Sequence, residues 1–194
     1  VNLQATSKAA PAQATLPVEI AVLGGGCFWC TEAALLPLRG VARVTPGYCG
    51  GRVDAPSYAQ VCRGDTGHIE VVQVVFDPTR LPFKDLLTVF FAAHDPTSRD
   101  RQGGDVGEQY RSVIFWQTPA QQMAAVQLMH TLNQQQVFDA PIVTQLLAPA
   151  RFWPAEPEHV DYFRRNPQSG FCQAVIAPKV AALRRTYAER YENR

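Results

Sequence analysis

Hydrophobic positions fall in short runs whose period changes along the chain, and the changes mark the elements. Residues 18–23 are apolar apart from Glu19 and end on Gly24, Gly25 and Gly26, which reads as a buried strand entering a tight turn. Helical spacing follows in Ala33, Ala34, Leu35 and Leu36, stopped by Pro37. Residues 41–48 read as a second strand and 50–56 as a loop. Residues 69–76 give the clearest strand, rich in valine and closed by Asp77-Pro78. Phe83, Leu86, Leu87, Phe90 and Phe91 recur at helical spacing over 83–93. Residues 95–108 are polar and glycine-rich, hence an exposed loop, and 112–116 form another strand. Thr118 caps and Pro119 opens a long helix reaching about residue 136. Residues 142–147 can be a strand, and 156–165 and 178–191 look helical.

Strands and helices alternate unevenly, which predicts an α+β protein, a two-layer α/β sandwich on a mixed sheet. A thioredoxin-like arrangement fits the same pattern. Residues 1–16 carry few large apolar side chains and read as a flexible tail, because they cannot bury enough surface to offset their ordering entropy. Residues 17–194 then form a single domain.

The chain has 194 residues, enough for a real core, with 46% hydrophobic and 18% charged residues. Eighteen Lys+Arg against 17 Asp+Glu leave a net charge of +1, and no basic run concentrates it, so a nucleic-acid footprint is not expected. Arg164-Arg165 and Arg184-Arg185 read as solvated helix faces. No apolar run approaches the roughly 18–20 residues of a membrane span, and no export signal is visible. The expectation is a cytoplasmic monomer without membrane contact, the alternative being a periplasmic or exported protein that has lost a signal peptide. Five cysteines, Cys27, Cys30, Cys49, Cys62 and Cys172, are too few and too irregular for a disulfide framework, and fit redox or catalytic work better.

The chemistry concentrates in Gly24-Gly25-Gly26-Cys27-Phe28-Trp29-Cys30. A strand, a glycine turn and then a cysteine at a helix start place sulfur where free N–H groups and the helix dipole favour an anion, so Cys27 is expected to have a lowered pKa. Phe28 and Trp29 add an aromatic wall suited to a small apolar group such as a methyl. Cys27 and Cys30 also form a C-x-x-C pair, close enough on a first turn for a disulfide. A zinc site would need a second pair, and Cys49 and Cys62 lack metal spacing, so no metal is expected.

Six ordered blocks together resemble the type A peptide methionine sulfoxide reductases, from about Val18 to Val180. They are Gly25-Gly26-Cys27-Phe28-Trp29; Gly47-Tyr48-Cys49-Gly50-Gly51; Tyr58, Val61-Cys62 and Gly64-Asp65-Thr66-Gly67-His68-Ile69-Glu70; His94-Asp95-Pro96-Thr97; Gly104-Asp105 with Gln109-Tyr110-Arg111-Ser112; and Asn166-Pro167 with Gly170-Phe171-Cys172. The resemblance implies a ferredoxin-like mixed sheet with long coil segments, which decides against the thioredoxin-like arrangement. It also implies reduction of methionine (S)-sulfoxide, free or in oxidised proteins, hence protein repair.

By the same resemblance Cys27 is the nucleophile and becomes a sulfenic acid. Glu70 is the acid; its strand places it on one face with Val72, Val74 and Phe76, where desolvation raises a carboxyl pKa. Tyr58 and Tyr110 match the hydroxyls that bind the sulfoxide oxygen, Phe28 and Trp29 the methyl pocket, and Asp105 a substrate-binding position. His68 and His159 are expected to be structural or peptide-contacting. No cofactor is expected; a disulfide is recycled by thioredoxin, or by DTT in vitro. Cys172 lies in the block where many members carry the resolving cysteine and is preferred for that role. Cys30, where the family has glycine, is the alternative, or simply a small helix residue. Cys62 is expected in the core, and Cys49 as an incidental turn residue. A general thiol–disulfide oxidoreductase and a non-catalytic module binding methionine peptides are the rival readings.

Overall fold

A computed structural model describes residues 17–192. The tail expected over 1–16 lies outside the described residues. The elements run β1 (Glu19–Gly25), α1 (Phe28–Leu35), β2 (Val41–Cys49), α2 (Tyr58–Cys62), β3 (Ile69–Phe76), α3 (Phe83–Ala92), β4 (Arg101–Gln102), β5 (Asp105–Val106), β6 (Ser112–Phe115), α4 (Pro119–Gln134), β7 (Gln145–Leu147), β8 (Trp153–Pro154), α5 (Tyr162–Arg165) and α6 (Ala177–Thr186). A π-helical turn, Cys172–Ile176, leads into α6.

The main sheet has the order β7-β6-β1-β3-β2-β8. All its pairs are antiparallel except β6 with β7, so the sheet is mixed, as expected. β4 and β5 form a separate small hairpin. Strand alternation explains the two sides. Ala21 and Leu23 of β1 join Val72, Val74 and Phe76 of β3 in a core closed by Leu35 of α1 and by Leu86, Leu87 and Phe90 of α3. Val22, Ile69, Val71, Val113 and Phe115 point the other way into a smaller cluster, covered by Leu147 and Phe152 from strand and coil rather than by a helix. That asymmetry is the two-layer sandwich.

Local signals hold where the periodicity is strong. Thr118 accepts a hydrogen bond from the Gln121 N–H at 3.2 Å and Pro119 opens α4. Elsewhere the segments are shorter than the pattern predicts. Residues 142–147 yield strand only over Gln145–Leu147, and 156–165 break into a single 3-10 turn, Pro157–His159, and the four residues of α5. The predicted C-terminal helix ends at Thr186, and a 3-10 turn, Ala188–Arg190, follows. The loop over 95–108 contains β4 and β5. No described helix is long and apolar enough to cross a membrane.

Candidate active site

β1 delivers the chain to the site through a turn that only glycine tolerates. Gly26 has φ +88°, and a Cβ there would lie 2.6 Å from Gln102 Cβ and Cγ. Cys27 follows as the N-cap of α1, and its carbonyl accepts the Cys30 N–H at 3.1 Å and the Thr31 N–H at 3.2 Å. The Cys27 side chain caps nothing and is buried.

The free N–H of Phe28, the donor expected to favour a Cys27 thiolate, is taken by another group. It donates to Glu70 Oε2 at 3.0 Å, across 42 residues of sequence. The expected lowering of the Cys27 pKa is also corrected. A hydrogen bond with Cys30, burial, and the charges of Cys30 and Glu70 hold the Cys27 thiol well above its ordinary value. Cys30 moves the opposite way, lowered chiefly by the same thiol–thiol hydrogen bond. The two thiols titrate together, and Cys30 is the first of them to lose its proton.

Glu70 lies on the buried side of β3, 1% exposed, with Val72 and Val74 beyond it. Burial pushes its carboxyl up to about 8, and the Phe28 N–H only partly opposes this. Tyr58, at the start of α2, and Tyr110, at the end of a 3-10 turn, face the same carboxyl. Burial and then the charge of Glu70 hold both phenols well above their usual range, so both remain O–H donors. The structure thus brings Cys27, Glu70, Tyr58 and Tyr110 together from four separate segments.

Phe28 and Trp29 form an aromatic group with Tyr58. Phe28 and Tyr58 stack with centroids 6.1 Å apart, and Trp29 and Tyr58 at 6.2 Å. Trp29 lies flat on Tyr162 at 3.7 Å and 6°. On the other side of Cys27, a pocket of about 300 Å³ is lined by Cys27, Cys30, Asp105, Phe171, Val175 and Lys179, among others. Asp105 is half-buried there, and burial raises its carboxyl. Cys172 is fully buried in one apolar cluster with Cys27 and Cys30. Cys62 is exposed, not in the core as expected, because the end of α2 turns it outward toward the Tyr58 hydroxyl. Cys49 is buried, with its thiol near the Ala150 carbonyl at 3.7 Å.

Two residues support the site: Glu156, which no sequence signal marked, and His159, which was expected to be structural or peptide-contacting. Glu156 accepts the Tyr48 hydroxyl at 2.9 Å and the Tyr58 N–H at 2.8 Å, fixing α2 to β2. His159 accepts the Trp29 indole N–H on Nδ1 at 3.1 Å, and its ring lies 4.5 Å from that of Tyr58. His68 is structural: Nδ1 accepts the Gly51 N–H at 3.0 Å and Nε2 donates to the Val53 carbonyl at 2.7 Å. Among the described residues no group of three or more His, Cys, Asp or Glu could hold a metal ion.

A buried acid, two phenols and an aromatic wall thus surround the cysteine that the sequence blocks single out. The family model of peptide methionine sulfoxide reductase matches residues 19–191. The chain belongs to this family. The peptide methionine sulfoxide reductase MsrA of Chromobacterium violaceum is 51% identical, over 91% of this chain and all of that one. An MsrA of Thermus thermophilus is 53% identical, over 89% of this chain and 97% of its own. Among solved structures, reduced Saccharomyces cerevisiae Mxr1 superposes with a TM-score of 0.73 at 32% identity, covering 86% of this chain and 93% of its own. A complex of that yeast protein with Trx2 shares the fold. The peptide methionine sulfoxide reductase fold settles the architecture as α+β, against the thioredoxin-like arrangement.

Proposed function

We propose that this chain reduces the S epimer of methionine sulfoxide, free or in oxidised proteins, by oxygen transfer to Cys27. The observation that carries the reading is the buried Glu70 carboxyl, protonated near neutrality, held beside Cys27 by the Phe28 N–H.

The raised pKa of Cys27 fits this chemistry. In the resting site Glu70 and Cys27 both keep their protons. Glu70 gives its proton to the sulfoxide oxygen, which makes sulfur electrophilic. The carboxylate left behind takes the Cys27 proton as that sulfur attacks, so charge never accumulates in the buried site. The S–O bond to methionine breaks, and oxygen leaves on Cys27 as a sulfenic acid. Tyr58 and Tyr110 donate hydrogen bonds to the oxygen as its charge develops. Phe28 and Trp29 take the methyl group, and Asp105 positions the rest of the substrate.

A second thiol then forms a disulfide with Cys27 and releases water. Cys172 and Cys30 both share the Cys27 cluster. An external dithiol restores the enzyme, and the complex of the related yeast protein with Trx2 supports thioredoxin as that dithiol.

Mixing the reduced protein with one equivalent of (S)-sulfoxide, without reductant, tests the reading. One equivalent of methionine and the loss of two thiols are expected, with neither in Cys27→Ser. Methionine release by Cys27→Ser at the wild-type rate would overturn it.

A further inference from the structure

The carboxyl of Glu32 takes no part in the oxygen transfer, yet it is buried on α1 at 2% exposure. Its Oε1 accepts the Asp161 N–H at 2.9 Å, across 129 residues of sequence. Burial pushes this carboxyl up to about 7, and it keeps an oxygen lone pair for that N–H in either protonation state. Asp161 opens α5 with a left-handed backbone, φ +53° and ψ +39°, which costs a non-glycine residue and persists where its surroundings hold it. Its other fastening, the Arg164 guanidinium on its carboxylate at 2.6 Å, comes from a side chain mostly in solvent and holds weakly. Glu32 stands three residues after Trp29, so the two share one face of α1. The chain entering α5 meets them residue by residue: Asp161 lies on Glu32, and the next ring, Tyr162, lies flat on Trp29. The other hold on that indole is at its edge, where His159 takes the N–H. Trp29 and Tyr162 both pack on the cluster that contains Cys27.

We propose that Glu32 is a positioning residue that limits the size of the alkyl group the site accepts, by fixing the Asp161 backbone so that the Tyr162 ring clamps Trp29 as a wall of the methyl pocket. This rests on the oxygen-transfer reading above. Without the Glu32 oxygen the Asp161 N–H loses its acceptor, the left-handed turn relaxes, and the Tyr162 ring leaves the face of Trp29. The indole, then held only at its edge by His159, swings and leaves room for a further carbon on the sulfoxide sulfur.

Steady-state kinetics with methionine sulfoxide and with ethionine sulfoxide, whose S-alkyl group is one methylene longer, tests the inference. Glu32→Leu and Glu32→Ala remove the acceptor, and Glu32→Gln keeps it. In either acceptor-free variant that folds, the ratio of kcat/KM for methyl over ethyl falls about tenfold, while Glu32→Gln keeps the wild-type ratio. Tyr162→Leu, which leaves α1 untouched, relaxes the ratio to the same extent. Near-UV circular dichroism reads the stack itself: the acceptor-free variants lose the band that Trp29→Phe loses, and Glu32→Gln retains it. A merely structural Glu32 would lower kcat/KM for both sulfoxides in proportion and leave the ratio in place. A wild-type ratio in the acceptor-free variants or in Tyr162→Leu, or a ratio in Glu32→Gln as relaxed as in Glu32→Ala, overturns the inference. If wild type reduces neither sulfoxide, the oxygen-transfer reading itself falls and takes the size limit with it.

Discussion

Glu70→Gln changes one polar atom and removes one titration. The folded carboxyl sits at about 8 against an ordinary value of 4.5, because burial disfavours its charge. Between those values the unfolded chain is ionised and the folded chain is not, so the fold holds one proton more and loses stability with each step up in pH. The contribution is intact below the unfolded value and gone above the folded one. The difference of about 3.5 units corresponds to a cost on the order of 4–5 kcal/mol at alkaline pH, an upper value because the site can relax. The substituted amide is neutral throughout and keeps an oxygen for the Phe28 N–H. Urea unfolding of both proteins at about pH 5 and about pH 9 measures the effect. The two should be similar at the lower pH, and the variant more stable by several kcal/mol at the higher. Glu32, raised to about 7 chiefly by burial, loses stability in the same direction, but it is common to both proteins and cancels in the difference. The gain comes with a loss of the acid, so sulfoxide reduction by the variant should fall about 10²–10⁴-fold. Parallel stability curves across the window would refute the protonated-acid argument.

Other outcomes follow from the same geometry. Tyr58→Phe and Tyr110→Phe should each lower kcat about tenfold to a thousandfold, with the double variant falling short of the product, as donors to one oxygen behave; steady-state kinetics checks this. Gly26→Ala meets both a left-handed φ of +88° and Gln102 at 2.6 Å, so it should cost about 1–3 kcal/mol in urea and displace Cys27, lowering kcat. His68→Ala removes two partly buried hydrogen bonds that join it to the loop at Gly51 and Val53. It should cost about 1–3 kcal/mol in urea unfolding, with little change in kcat of the folded protein.

What could be read from the sequence is what short-range physics controls. The two-residue alternation of β3 put Glu70 on the side of Val72, Val74 and Phe76, and it lies there. The helical spacing of Phe83, Leu86, Leu87, Phe90 and Phe91 gave α3, and the Thr118-Pro119 signal gave the start of α4. α2 was missed although Ser57 and Gln60 form a capping box that was open to view. Glu156 could not be found this way, because its partners Tyr48 and Tyr58 lie about a hundred residues away and no local pattern marks it. The Cys27 pKa failed for a different reason. The helix-start rule still acts through the Cys30 N–H, but the neighbouring Cys30 thiol and burial outweigh it. Cys62 misled because five residues of helix give too little periodicity to say which side is buried.

The most direct test of the central claim follows the oxygen atom. Protein carrying Cys30→Ser and Cys172→Ser, so that no resolving thiol remains in the cluster, is mixed with methionine sulfoxide labelled with heavy oxygen, and its peptides are mapped by mass. The label is predicted on Cys27 as a sulfenic acid, in proportion to the methionine released. Unlabelled oxygen on Cys27, or label on Cys49 or Cys62 instead, would contradict the account.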